Sequence, residues 1–299
     1  MRDRTLKVLC AALVALLALG LVLPQWINTL TIALAWGVVV LGMMLMMRTG
    51  LVSFGQGLYY CIGGYAAAVL HKDYGIGDIL VMVLVGMLAA SAMAAVLGLL
   101  MAKYRDIFFA MLSLAFSMIL FGLLVKSSRL GSTDGFGLGV RSLAGIALGE
   151  GHERFVVFAS TCVIAFLSAL AMLRYLNSHL GRMAGAIKDN ELRVEYMGES
   201  VRRVIHLNYV ISAALAGIGG ALAAITIGHV DPEMSFWTQS GEFVFIAILA
   251  GTGNVLAPFL GAVIFEMVRS FAYEHSPNTW QMVLGITMLL IIMFLPGGL

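Results

Sequence analysis

Few residue combinations in this sequence can do chemistry, and what is missing decides most. A loop that cradles ATP phosphates reads G-x-x-x-x-G-K-[ST]. The chain holds none; Gly251-Thr252-Gly253 comes nearest and lacks the lysine. There is no H-E-x-x-H, and the six histidines are scattered. His206 and Asn208 suit polar contacts between helices better than metal ligation. Cys10, Cys61 and Cys162 lie in apolar runs and form no C-x-x-C pair. They read as small buried residues, with neither a disulfide framework nor a metal site implied. The expectation is a protein that is not an enzyme and that binds no metal or cofactor of its own.

The remaining polar groups stand out because their surroundings are oily. Glu242 and Glu266 fall near or within apolar segments, where an ionisable side chain is costly and by default a functional candidate. At a membrane interface they would need no special role. The stretch GLVSFGQG opens an apolar segment with three glycines, Ser53 and Gln56. Loosened backbone at membrane depth is tolerated when it is buried in protein or lines a cavity. Ser53 and Gln56 therefore face a solute pathway, or the glycines serve tight packing. GSTDGFGLG (131–139) places Thr133 and Asp134 in a loop that either meets an external delivery protein or simply turns.

The longest strongly polar run is GRMAGAIKDNELRVEYMGESVRR (181–203), with Arg182, Lys188, Arg193, Arg202 and Arg203 among its charges. Apolar segments flank it, so it sits in water, and its cations place that water in the cytoplasm. Ile187, Asn190, Glu191, Val194 and Met197 recur three or four apart, on one face of a helix. Gly198 supplies the helix end. Such a helix suits docking of a partner protein; the alternative is a solvated joining loop.

These groups need elements to hold them. The chain has 299 residues, 61% hydrophobic and 11% charged, with mean hydropathy +0.98. A soluble domain carries roughly 25% charged residues, so this is a polytopic membrane protein. At ~20 apolar residues per crossing, about ten spans use the whole chain as a single transmembrane domain, 1–299. A basic patch of the kind that binds nucleic acid is missing. The N-terminus resembles a signal peptide without a clear cleavage site, so a retained first helix is expected. The expected segments are 6–23, 28–47, 50–70, 79–101, 107–125, 155–175 and 204–228. Two short segments broken at Gly251–Asn254 and Pro258 come next, between 241 and 269, then a last span at 280–295 stopped by Pro296-Gly297-Gly298. SAALAGIGGALAA in 204–228 lets helix backbones approach closely. With 126–154 as the outer loop and 181–203 inside, twelve Lys and Arg fall inside and six outside. That bias puts both termini in the cytoplasm. The similarity of Thr49–Val52 to Thr252–Val255 is too short to be a repeat.

Several segments together carry a resemblance. They are TGLVSFGQGLYYCIGGYAA, YRDIFFAMLSLAFSMIL, GSTDGFGL, the whole of 181–224, VDPEMSF and the closing FLPGGL. In this order they cover most of the chain from Thr49 onward, and the sequence resembles the LivM-type permease subunits of branched-chain amino acid ABC importers. The resemblance implies an all-α type II importer fold with broken helices, in a bacterial inner membrane. It implies that the central run couples to an ATPase subunit, through Ala186, Ile187, Asp189, Asn190, Glu191 and Gly198. Val194 and Tyr196 depart from the small residues common in the family, and Ser132 stands where a glycine is usual.

The resemblance also implies an assembly. Two ATPase subunits hold ATP and Mg, a second permease (LivH-like, or another copy of this chain) completes the membrane part, and a periplasmic binding protein delivers a small hydrophobic amino acid. Wider relatives carry urea, short amides or aromatic acids. A carrier of a different class, driven by ions, would need a charged relay in the spans, for which the sequence offers only Glu242 and Glu266.

Overall fold

The computed structural model of the protein describes residues 2–140, 142–147, 153–275 and 279–294. Twelve α-helices run through them: α1 (Arg2–Val22), α2 (Ile27–Arg48), α3 (Gln56–Tyr74), α4 (Ile79–Met101), α5 (Asp106–Lys126), α6 (Glu153–Leu176), α7 (His179–Asp189), α8 (Glu191–Tyr196), α9 (Val201–Ile227), α10 (Trp237–Ala250), α11 (Ala257–His275) and α12 (Trp280–Phe294). The ten helices other than α7 and α8 answer the expected segments one for one. Five, α2, α4, α5, α6 and α9, are long and apolar enough to cross a membrane by length and composition. The Pro296–Gly298 stop and Arg141 lie outside the described residues.

The fold is built around α2 and α9. Every residue of α2 from Ala33 to Met46 is buried, although the helix has no polar face to hide. A helix apolar all round is placed by its neighbours and not by amphipathicity. Here α9, α11 and α6 enclose α2, while α3 and α4 pack on the other side of α9. Lipid gives helices no hydrophobic reason to associate, so close backbone contact has to hold them. Gly63 of α3, Gly86 of α4 and Gly217 of α9 meet at one crossing, where an added Cβ would strike the backbone of a neighbouring helix. Gly220 packs in the same way onto the Tyr60 carbonyl oxygen. The outer flank is the reverse: Leu84, Leu88, Val96 and Leu99 of α4 and Phe108, Met111 and Leu123 of α5 are exposed, a surface suited to acyl chains.

Two helices break where the sequence suggested. Gly251, at φ 72° and ψ −176°, ends α10 in a conformation suited to glycine. Pro258 sits in the first turn of α11, where no intrahelical N–H is needed. Arg48 pins this break to the end of α2: its Nε and Nη2 donate to the Thr252 carbonyl oxygen at 3.0 and 2.6 Å, and Nη2 reaches that of Gly253 at 3.2 Å. The break thus lies at the same end of the molecule as Arg48, and α10 and α11 are two separate segments.

The start of α3 differs from expectation. Thr49–Gly55 stays out of the helix, and α3 begins at Gln56. Apart from Gly50 the segment is buried or half-buried, so its N–H groups need partners. Serines supply them: Phe54 N–H donates to Ser113 Oγ (3.0 Å), Gly55 N–H to Ser53 Oγ (3.3 Å) and Gly57 N–H to Ser240 Oγ (3.0 Å). Gln56 Nε2 donates to Ser212 Oγ at 3.0 Å and to the Ser212 carbonyl at 3.2 Å. Cys61 and Cys162 are buried as expected, but Cys10 is exposed on α1. The apolar run around Cys10 covers a whole helix, and only one side of that helix packs on α6.

At the end opposite Arg48, the described parts of the loop between α5 and α6 form short strands. Phe136–Gly137 pairs antiparallel with His229–Val230, and Ser142–Leu143 with Ile146–Ala147. Asp78 fastens the second hairpin to α4. Its Oδ1 accepts from Leu80 N (3.0 Å) and Val81 N (3.4 Å), capping the helix, and its Oδ2 accepts from Gly145 N (2.7 Å) and Ser142 Oγ (3.2 Å). Burial pushes this carboxyl upward, but the donors from Gly145, Val81, Ser142 and Leu80 outweigh it and hold the group below the usual carboxylate range. A depressed value means that its contribution is complete at neutral pH and fades as the pH falls from about 4 through the folded value. Asp78→Ala is expected to cost about 1–2 kcal/mol at pH 7. In thermal melts of the detergent-solubilised protein, the gap between wild type and variant should close toward pH 3. A gap that stays constant would remove Asp78 from this role.

Candidate functional site

The polar run forms a platform of two helices, not the single helix that the spacing predicts. Ser178 caps α7 by accepting from Gly181 N at 3.3 Å. Asn190 then interrupts the run with extended backbone, φ −165° and ψ 104°. Its N–H donates to the Ala186 carbonyl at 3.0 Å, and its Oδ1 accepts from Arg193 N at 3.0 Å. One asparagine therefore closes α7 and caps α8. Gly198, at φ 86°, ends α8 as expected, with its N–H on the Glu195 carbonyl at 2.9 Å.

The break turns the expected docking face around. Ile187 and Val194 are 2% and 0% exposed and join the main core with Val201 and Val204. They are not available to a partner, because amphipathic helices on the end of an oily bundle bury their apolar stripe in that bundle first. The exposed apolar side chains are Leu192 (66%), Tyr196 (90%) and Met197 (58%). Leu192 and Tyr196, four residues apart, share a face. Asp189, Asn190 and Gly198 are also exposed, and Ala186 is half-buried.

Glu191 has a partner within the chain. Arg105 Nε lies 2.6 Å from Glu191 Oε1, and the same guanidinium holds the Ala102 and Tyr104 carbonyls at 2.8 and 2.9 Å. The pair ties α8 to the turn between α4 and α5. Being partly exposed, it contributes about 1 kcal/mol or less to stability; what it fixes is the angle of the platform. Nothing in the sequence links positions 105 and 191, so the pairing was invisible there.

The other candidates separate. Ser53 and Gln56 are 0% and 1% exposed; Ser53 Oγ accepts from Gly55 N within the break and Gln56 Nε2 ties the start of α3 to Ser212 of α9, so both side chains serve packing here. Glu242 does face open space. Half-buried on α10, it lines a cleft of about 850 Å³ with Trp36, Tyr60, Glu266 and Arg269. Gln239 Nε2 donates to its Oε2 at 3.3 Å. Trp36 and Arg269 escaped the sequence reading, the first as one more apolar residue and the second as a topology charge. Thr133 and Asp134 are exposed on the turn before the first strand. There Ser132 adopts φ 52°, a region that favours glycine, and its Oγ bonds the Val125 carbonyl at 2.7 Å. That is the position where the resemblance expects glycine. Asn208 serves as a helix contact, accepting from the Tyr175 hydroxyl. Among the described residues, no group of His, Cys, Asp or Glu is arranged to hold a metal ion.

The sequence that builds this bundle, platform and cleft has relatives among known proteins. The model of the family described as branched-chain amino acid transport system / permease component matches residues 25–292. The chain belongs to this family. It is 27% identical to the high-affinity branched-chain amino acid transport system permease protein LivM of Escherichia coli (strain K12), over 96% of this chain and 74% of that protein. It is 24% identical to LivH of the same organism, over 93% of this chain and 94% of that one. For BraD of Pseudomonas aeruginosa the identity is 23%, over 93% and 95%. No solved structure matches the chain. The protein is thus an all-helical permease subunit of the ABC-importer kind, set in a membrane, and a transport component in place of a catalyst. Permeases of this family are components of a transport system, so this chain works with further subunits.

Proposed function

We propose that this permease is one of two membrane subunits of an ATP-driven importer for branched-chain or other hydrophobic amino acids. It sits in a bacterial inner membrane with both termini in the cytoplasm. Two ATPase subunits, holding ATP and Mg, dock at the platform, and the second permease is LivH-like or a second copy of this chain. A periplasmic binding protein docks at the outer loop near Thr133 and Asp134. The segment 181–203 is the coupling element. The observation that carries the reading is the platform: a partner can engage Leu192, Tyr196 and Met197 while Ile187 and Val194 anchor the same two helices to the core. A push on α8 would therefore be transmitted to α9 and, through Glu191 and Arg105, to α4 and α5. The energy comes from the ATPases, and the bundle only shifts between two arrangements.

The test is reconstitution. Vesicles holding this chain with its second permease and ATPases should take up leucine only with ATP and loaded binding protein. Uptake by this chain alone, driven by an ion gradient, would replace the proposal with a carrier. Within the assembled transporter, Glu191→Arg is expected to lower uptake about tenfold and Arg105→Glu to do likewise, whereas the double exchange restores at least half. If the double variant is no better than either single one, α8 is not positioned by that pair.

A further inference from the structure

The cleft holds an unbalanced set of charges. It opens at the end that carries the outer strands, where Asp231 and Glu233 line it, and reaches Trp36, about 14 Å along α2 from its first residue. Among the described residues, five acids line it, Asp231, Glu233, Glu242, Glu266 and Glu274, against a single base, Arg269. Glu266 is only 8% exposed, and its Oε2 accepts no hydrogen bond among the described residues. Arg269 does not neutralise it fully. Its Nη1 stays 3.6 Å from that oxygen, while the guanidinium lies over the rings of Trp36 at 4.9 Å and Trp280 at 5.7 Å. The aromatic rings hold the cation at a distance from the carboxylate. Buried carboxylate oxygens without a full partner are costly, and this one borders open space. Trp36 Nε1 is meanwhile satisfied by the Tyr60 hydroxyl at 3.2 Å, so these two rings border the cleft without asking it for a polar partner.

We propose that this cleft is a binding site for a small solute bearing a primary ammonium group, which Glu266 Oε2 receives with Glu242 as the second carboxylate. Trp36 and Tyr60 provide the wall for an apolar side chain, and Arg269, already held over the rings, faces the solute's carboxylate where it has one. The inference rests on the transport reading above and narrows it. An amino acid fits the site; a carboxylic acid without an amine leaves Glu266 unmet, and urea or a short amide can donate N–H but brings no positive charge to set against the two carboxylates.

The test uses the assembled transporter. Glu266→Gln, close in shape, is expected to lower leucine uptake at least tenfold. Co-purification of the ATPases and the second permease with the variant should match wild type, which reports that the chain still folds and assembles. Uptake within twofold of wild type overturns the site. A second measurement does not depend on how that variant folds. Ser270→Cys, on the cleft wall, is labelled with a thiol reagent in a Cys10→Ser background. Leucine and isopentylamine are expected to slow labelling at least threefold, and 4-methylpentanoate to leave it unchanged. Equal protection by all three, or by none, overturns the ammonium site. Failure of wild-type transporter to import any amino acid, with labelling still slowed by the amines, would instead overturn the importer reading and leave the site standing.

Discussion

Tyr196→Asp is expected to abolish uptake by the assembled transporter and to release the ATPases from the membrane subunits. Tyr196 is 90% exposed at the tip of the platform, with Leu192 on the same face. An exposed tyrosine beside an exposed leucine, on a helix whose other side is locked into the core, is well placed as an interface anchor. Aromatic anchors at the centre of interfaces cost about 2–4 kcal/mol when lost, or roughly 30- to 1000-fold in affinity. A charge in the same place adds a desolvation penalty. Co-purification of the ATPases and ATP-dependent uptake report the loss directly, and the chain itself should accumulate normally, because Tyr196 touches nothing in the core. If the ATPases stay bound and uptake persists, docking lies elsewhere.

The largest structural effect is expected from Gly220→Val. A Cβ at Gly220 would overlap the Tyr60 carbonyl oxygen, an atom of the α3 backbone that has no rotamer to escape into. Overpacking ordinarily costs about 1–3 kcal/mol where side chains can shift; here two helices must separate, and the folded protein should be lost from detergent extracts. Gly122→Ala is the control. Gly122 lies on α5 with no neighbour within 4 Å of an added Cβ, and alanine favours helix by about 1 kcal/mol. Size-exclusion profiles of the two variants should diverge: no monodisperse peak for the first, an unchanged or stronger one for the second. A monodisperse Gly220→Val would mean that the α3–α9 contact is looser than drawn.

Much of this architecture was legible because a membrane leaves a chain few options. The apolar run 79–101 coincides with α4, and the two short segments around Gly251–Asn254 are present as α10 and α11. What was not legible depends on contacts far apart in sequence. Spacing alone put Ile187 and Val194 on a docking face, because a 3.6-residue period does not say which neighbour a face meets. Asn190 was itself the available signal: a strong N-cap type three residues ahead of Arg193, inside a run read as continuous helix. Ser53 and Gln56 looked like pathway residues because the serines that bond this stretch lie on three other helices: Ser113 and Ser240 accept from its backbone, and Ser212 accepts from the Gln56 side chain. The cleft was half visible. Its acids could be noticed as charges in oil, while Trp36 and Arg269 acquire meaning only when α2 and α11 stand side by side.

Arg48 gives the cleft a fulcrum. Its grip on the Thr252 and Gly253 carbonyls fixes the point where α10 and α11 meet, so those helices are the arms of a pair of tweezers pivoted beside the platform. Glu242 lies about 13 Å up one arm from Gly251 and Glu266 about 14 Å up the other from Ala257. Spreading the arms by 10° would part the two carboxylates by about 2 Å, enough to turn a two-point grip on a cation into a one-point grip. A small movement at the wet end of the molecule would thereby be read as release at the other.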